Sequence, residues 1–211
     1  MAGIGFSRTA LDFYAELETQ NTKEWWAAHK AVYESQVRDP ALALAEALAD
    51  EFGPVKLLRP YRDLRFDKGG APYKTALSML AGPAPGLGWY LRLDARGLVV
   101  GGGLRTHSGA EVARLRAAIA DDAAGQRLAQ LVAMLRADGF TVEGSGTERM
   151  PRGFAAEHPR AELLRWRAVM VVRDLGRPRW LATPALESHV RETWRAVRPV
   201  ADWAIAQVGD S

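Results

Sequence analysis

A chain of 211 residues with 48% hydrophobic and 25% charged side chains can bury a sizeable core, and its formal net charge is only +3. It has no cysteine, which excludes a disulfide scaffold, thiol catalysis and cysteine-ligated metal centres. No stretch approaches the roughly 20 apolar residues of a membrane span, and residues 1–6 lack a signal peptide's basic and apolar blocks; by elimination the expectation is a cytoplasmic protein with no membrane partner.

The N-terminal region, residues 7–52, reads as three helices. Ser7 is placed to cap the first, with Phe6 and Leu11 at the positions of a hydrophobic staple. Asn21, three residues before Glu24, has the spacing to cap the second, which carries Trp25, Trp26, His29 and Tyr33. Trp25 and Tyr33 lie eight residues apart, on roughly one helical face, and are expected to pack inside against a sheet. Asp39-Pro40 starts the third helix and Gly53 ends it.

The period then changes. Residues 55–66 read as extended, 67–72 as a loop around Gly69-Gly70, and 82–88 as a second Gly/Pro loop. Residues 89–94 and 98–104 flank Ala95-Arg96-Gly97 as a hairpin. Ser108 and Glu111 form a capping box for a helix to about Ala120; another helix spans about 125–137, with Gly139 closing it. A short strand at 140–143, an irregular stretch at 145–158, a short helix at 160–166 and a β-branched strand at 168–174 follow. Thr183-Pro184 opens a long final helix, about 184–207, kinked or broken at Pro199. There is no repeat and no linker. Helices at both ends around hairpin-spaced strands argue for a single α+β domain over 1–211, with a mainly antiparallel sheet containing the 59–66, 89–94, 98–104 and 168–174 strands.

Charge is unevenly spread. Residues 1–55 carry four basic and nine acidic side chains, residues 56–74 six and two, and residues 149–198 eleven and five. Lysine occurs only five times against 23 arginines, and Lys68 and Lys74 both fall within 59–74. That segment reads Arg-Pro-Tyr-Arg-Asp-Leu-Arg-Phe-Asp-Lys-Gly-Gly-Ala-Pro-Tyr-Lys. In a strand, Arg59, Tyr61, Asp63, Arg65 and Asp67 would share one face, and Arg62, Leu64 and Phe66 the other. Leu64 and Phe66 would then draw Arg62 toward burial, where it would need a partner. Guanidinium groups beside a lysine-bearing glycine loop suit a phosphate or carboxylate, because the planar fork accepts bidentate bonds. A salt-bridge network tying sheet to helices is the competing reading.

The segment resembles the signature of the bacterial family catalogued as domain of unknown function 2461, through Arg59, Arg62, Asp63, Arg65, Phe66, Lys68, Pro72, Tyr73 and Lys74. Gly69-Gly70 stands where that family usually has Asp-Lys. Residues 21–33, the glycine run 101–103, and Pro151-Arg152-Gly153-Phe154 with His158-Pro159 resemble its other stretches. The resemblance brings no activity with it, so whether the protein is an enzyme stays open. The expected ligand site is Arg62, Arg65, Lys68 and Lys74, joined by Arg152 from the late loop. Asp63 and Tyr73 are the candidate catalytic groups, Asp63 orienting guanidinium groups and Tyr73 acting as donor or acid. The expected partner is an anionic small molecule. A nucleic acid on the same basic face is the less favoured alternative, and a purely structural motif is the third. No cofactor or metal is expected: His29, His107, His158 and His189 lack paired-ligand spacing. The triple glycine lacks the spacing of a phosphate-binding loop and reads better as a bulge or tight strand crossing.

Overall fold

The computed structural model describes residues 3–63, 70–84 and 86–209. In chain order the elements are α1 (Arg8–Thr19), α2 (Lys23–Val32), a π-helical segment (Tyr33–Arg38), α3 (Asp39–Phe52), β1 (Val55–Leu57), β2 (Ala76–Ala84), β3 (Leu87–Asp94), β4 (Gly97–Arg105), α4 (Gly109–Ala120), α5 (Asp122–Ala137), β5 (Thr141–Glu143), α6 (Ala161–Leu164), β6 (Ala168–Gly176), a 3-10 turn (Arg179–Ala182) and α7 (Ala185–Val208). The architecture is α+β. The strands form a six-stranded antiparallel sheet of order β1-β2-β3-β4-β6-β5.

Two compact units divide the chain: residues 1–81, 90–100 and 174–192 make the first, and residues 82–89, 101–173 and 193–211 the second. The first unit owes its helical core to aromatic side chains. Phe13 of α1 meets Trp25, Trp26 and Tyr33 at ring-centroid distances of 5.2, 5.7 and 5.8 Å. Trp25 and Tyr33 are buried, as their shared face predicts, and α1 supplies these ring contacts. The π segment joins α2 to α3 without a break. Pro40, in the first turn of α3, has no N–H for the carbonyl four residues back, and a widened turn just before it accommodates that loss. In the second unit α4, α5 and the C-terminal part of α7 bury Leu115, Leu128, Leu131, Val197 and Trp203 with Val169 and Val171 of β6. The Trp203 indole donates to the Ala124 carbonyl at 2.9 Å.

Local signals located most elements. The Ser108–Glu111 capping box forms in full and α4 ends at Ala120. Two expectations need correction. Residues 59–63, the described part of the expected 59–66 strand, are not a sheet strand: after β1 they make only an isolated bridge, Tyr61↔Tyr73, and residues 64–66 lie outside the described residues. β2 runs through Gly82 and Pro83, which read as loop, because its core face is set by Leu77, Met79 and Ala81. α7 runs unbroken through Pro199, so of the two alternatives, kinked or broken, the break is excluded. No described helix is long and apolar enough to cross a membrane.

The triple glycine takes the tight-crossing role. A Cβ at Gly101 or Gly103 would overlap the carbonyl oxygens of Val171 and Val169 in β6, and one at Gly102 the carbonyl of Gly88. The run lets backbones approach where any side chain would separate them.

Candidate functional site

The candidate site of the first unit is built where the chain between β1 and β2 turns back on itself. The Arg62 N–H donates to the Pro72 carbonyl at 2.9 Å, and the Lys74 N–H to the Pro60 carbonyl at 2.7 Å. These bonds flank the Tyr61↔Tyr73 bridge, so Tyr61 and Tyr73 are a non-hydrogen-bonded antiparallel pair with side chains close together. Their rings lie 5.5 Å apart.

The outward N–H and C=O of Tyr73 would then be orphaned. Asn21 satisfies both: its side-chain nitrogen donates to the Tyr73 carbonyl at 3.0 Å, and its side-chain oxygen accepts from the Tyr73 N–H at 3.0 Å. One amide side chain stands in for a third strand. This displaces the helix-capping role expected of Asn21, which passes to the next residue: Thr22 accepts from the Trp25 N–H at 3.1 Å. Trp26, one turn further on, lies flat on Tyr73 with centroids 4.1 Å apart and 6° between planes. Its indole N–H is buried without a hydrogen-bond partner.

Alternation along this short ladder sends Tyr61 and Tyr73 to one face and Arg62 and Lys74 to the other. Arg62 is exposed, not drawn into the core, because the ladder is too short to carry it under the sheet. Lys74 is partly buried. Loss of solvent and the nearby Arg59 guanidinium hold its pKa below the ordinary lysine value. Arg59, Arg62 and Lys74 enter no ion pair with any described residue. Tyr73 is raised above the usual phenol value by burial, then by Tyr61 and Glu24. It keeps its proton across the physiological range and can donate but not act as a base. Asp63 is exposed. Arg65 and Lys68 lie outside the described residues. Arg152 is exposed in the second unit, on the loop after β5.

The family model of the conserved hypothetical proteins DUF2461 matches residues 9–203. The chain belongs to this family. No curated protein and no solved structure matches it significantly. In this DUF2461 member, sequence reasoning missed Asn21 and Trp26 as parts of the site. The available signal for Asn21 was that it and Thr22 are adjacent cap-forming residues, of which a helix can use one. Among the described residues no cluster of three or more His, Asp or Glu could hold a metal ion. Trp89 and Trp194 are poor stacking platforms, because both are buried, with the Trp89 N–H on the Trp194 carbonyl at 3.0 Å.

Replacing Asn21 by Ala strands two main-chain groups of Tyr73. The expected loss is about 2 kcal/mol, the scale of unsatisfied partly buried polar groups, read as a drop in urea midpoint at constant slope. Asn21→Asp, which keeps the acceptor and loses the donor, should fall between. An Asn21→Ala chain as stable as the parent would mean the bracket contributes nothing.

Proposed function

We propose that this protein binds a small phosphate- or carboxylate-bearing ligand on the cationic face of the 60–62/72–74 ladder, with Arg62 and Lys74 as the holding groups and Arg59 beside them. The observation that supports this reading is that Arg59, Arg62 and Lys74 have no carboxylate partner among the described residues, and that Arg59 is near enough to depress Lys74. A brace would consume its charges internally; these are left for a solute. The Asn21 bracket and the Trp26–Tyr73 stack hold the ladder rigid, which lowers the ordering cost of binding. Asp63 and Tyr73 remain the candidates for any chemistry, Tyr73 only as a proton donor. The ladder puts Tyr73 on the face opposite Lys74.

Inorganic phosphate tests it. Phosphate should raise the melting temperature in a saturable way. Arg62→Ala and Lys74→Met should each weaken the phosphate Kd by about tenfold or more, the scale of a charged hydrogen bond. Lys74 must be protonated to hold the anion, so affinity should fall with rising pH earlier than an unperturbed lysine, near 10.4, would dictate. Unchanged affinity in both variants rejects the site. Tyr61 is half exposed, and an exposed ring on a basic segment suits base stacking, which favours single-stranded nucleic acid as a second reading. Tight oligonucleotide binding that weakens steeply with salt, without phosphate binding, would select it.

A further inference from the structure

The second unit contains a groove of about 870 Å³ between one face of α4 and the loop of residues 147–154. Its size falls within the usual range of small-molecule sites. Arg116, Arg149, Arg152 and Arg167 line it, with Glu148 as the one acidic side chain. Val112, Met150 and Phe154 add apolar lining. None of the four arginines enters an ion pair with a described residue. Arg116 is aimed by a bond from its Nε to the Leu164 carbonyl at 3.2 Å, which leaves its terminal N–H groups for a ligand.

The loop is fixed by main-chain bonds. The Thr147 N–H donates to the Arg165 carbonyl at 3.2 Å, the Arg167 N–H to the Ser145 carbonyl at 2.7 Å, and Gly146 bridges Trp166. The Thr147 hydroxyl donates to the Arg149 carbonyl at 2.9 Å. Gly144 is required for this path, because a Cβ there would overlap the Trp166 ring.

We propose that this groove is a second binding site, for a phosphate monoester with an apolar body. Four guanidinium groups against one carboxylate exceed what a single carboxylate ligand neutralises, whereas a phosphate dianion takes bidentate bonds from two arginines. Val112, Met150 and Phe154 supply contact for the apolar part, which inorganic phosphate lacks. None of the ladder's residues lines the groove.

The test is calorimetric titration of the full chain with 1-naphthyl phosphate and, separately, with inorganic phosphate. The naphthyl ester should bind at least tenfold tighter. Arg149→Ala combined with Arg152→Ala should weaken the ester by at least tenfold; both side chains are exposed, so the fold should be unaffected, as checked by melting temperature. The ladder also offers cations to a phosphate, so the groove is read in the Arg62→Ala background: there the ester should still bind, and adding Arg149→Ala and Arg152→Ala should remove that binding. The proposal is overturned if the ester binds no better than phosphate, if Arg62→Ala abolishes the binding, or if adding the double substitution to Arg62→Ala leaves the binding unchanged. It is also overturned if only an oligonucleotide binds, with steep salt dependence.

Discussion

Gly103→Ala should destabilise the protein by more than about 4 kcal/mol and leave little of it folded at 37 °C. Two costs combine. The added Cβ would fall inside the contact distance of the Val169 carbonyl oxygen, a main-chain atom that no rotamer change can move aside. The residue also sits at a φ of 130°, a conformation that L side chains rarely adopt. Relief requires β4 to separate from β6, breaking hydrogen bonds in the middle of the sheet. Gly109→Ala is the control. It lies at the start of α4 with nothing within 4 Å of the new methyl group, so it should be neutral or slightly stabilising, since Ala is the better helix former. Urea denaturation of both variants measures the contrast. A Gly103→Ala protein within about 1 kcal/mol of the parent would show that the crossing is looser than described and would reopen a ligand role for the glycine run.

The second large effect is expected at Arg191. Its guanidinium meets Glu51 at 2.9 Å, Asp50 at 3.0 Å and Glu187 at 2.8 Å, and also donates to the Ala47 carbonyl. Glu187 and then Glu51 push its pKa still further up. Its side chain is only 15% exposed, and Glu51 is 21% exposed, so these are not ordinary surface pairs. Asp50, at 71% exposure, adds little. The cation also lies beside a carbonyl in the last turns of α3, the negative end of that helix. Arg191→Ala removes the charge and leaves three carboxylates facing one another. A loss of about 3 kcal/mol is expected, within the range for breaking a partly buried pair. Arg191→Lys should recover only part of it, because a single ammonium cannot reproduce the fork. A loss below 1 kcal/mol for Arg191→Ala would mean that solvent screens the cluster as it does an exposed pair. Anion binding by the ladder should be unchanged in either variant, since Arg191 is already consumed by its partners.

The contrast between Arg191 and Arg62 explains what the sequence could reveal. Both are arginines in basic stretches, and composition treats them alike. One is locked among carboxylates contributed by α3 and α7, and the other stands without a carboxylate. That difference depends on contacts across more than a hundred residues, and no local pattern records it. Features written within a few residues were legible: the Ser108–Glu111 box, the hairpin turn at 95–97 and Gly139 after α5. β2 escaped notice because Gly82 and Pro83 outweighed the alternation of Leu77, Met79 and Ala81. The segment 59–74 was singled out from its residue types, yet its geometry was misjudged. A strand was expected over 59–66; among the described residues a single bridged pair, Tyr61 and Tyr73, held by Asn21, stands in its place, because a side chain replacing a strand leaves no periodicity to detect. The groove of the second unit was represented in advance by Arg152 alone; Arg116, Arg149 and Arg167 join it only through the return of the loop onto α4.

The division into two units bears on how the protein is made. The chain passes from one unit to the other after residues 81, 89, 100, 173 and 192. Neither unit is therefore an N-terminal block that a ribosome could release and let fold while the rest is translated, as successive domains do. The first unit lacks its last segment until Glu192 has left the exit tunnel. Until then α1 to α3 can form as local helices, but Trp25, Trp26 and Tyr33 have only part of their eventual surroundings. A nascent chain stalled before residue 174 should accordingly engage holding chaperones and be cut readily by proteases, and one released past residue 208 should become resistant to both.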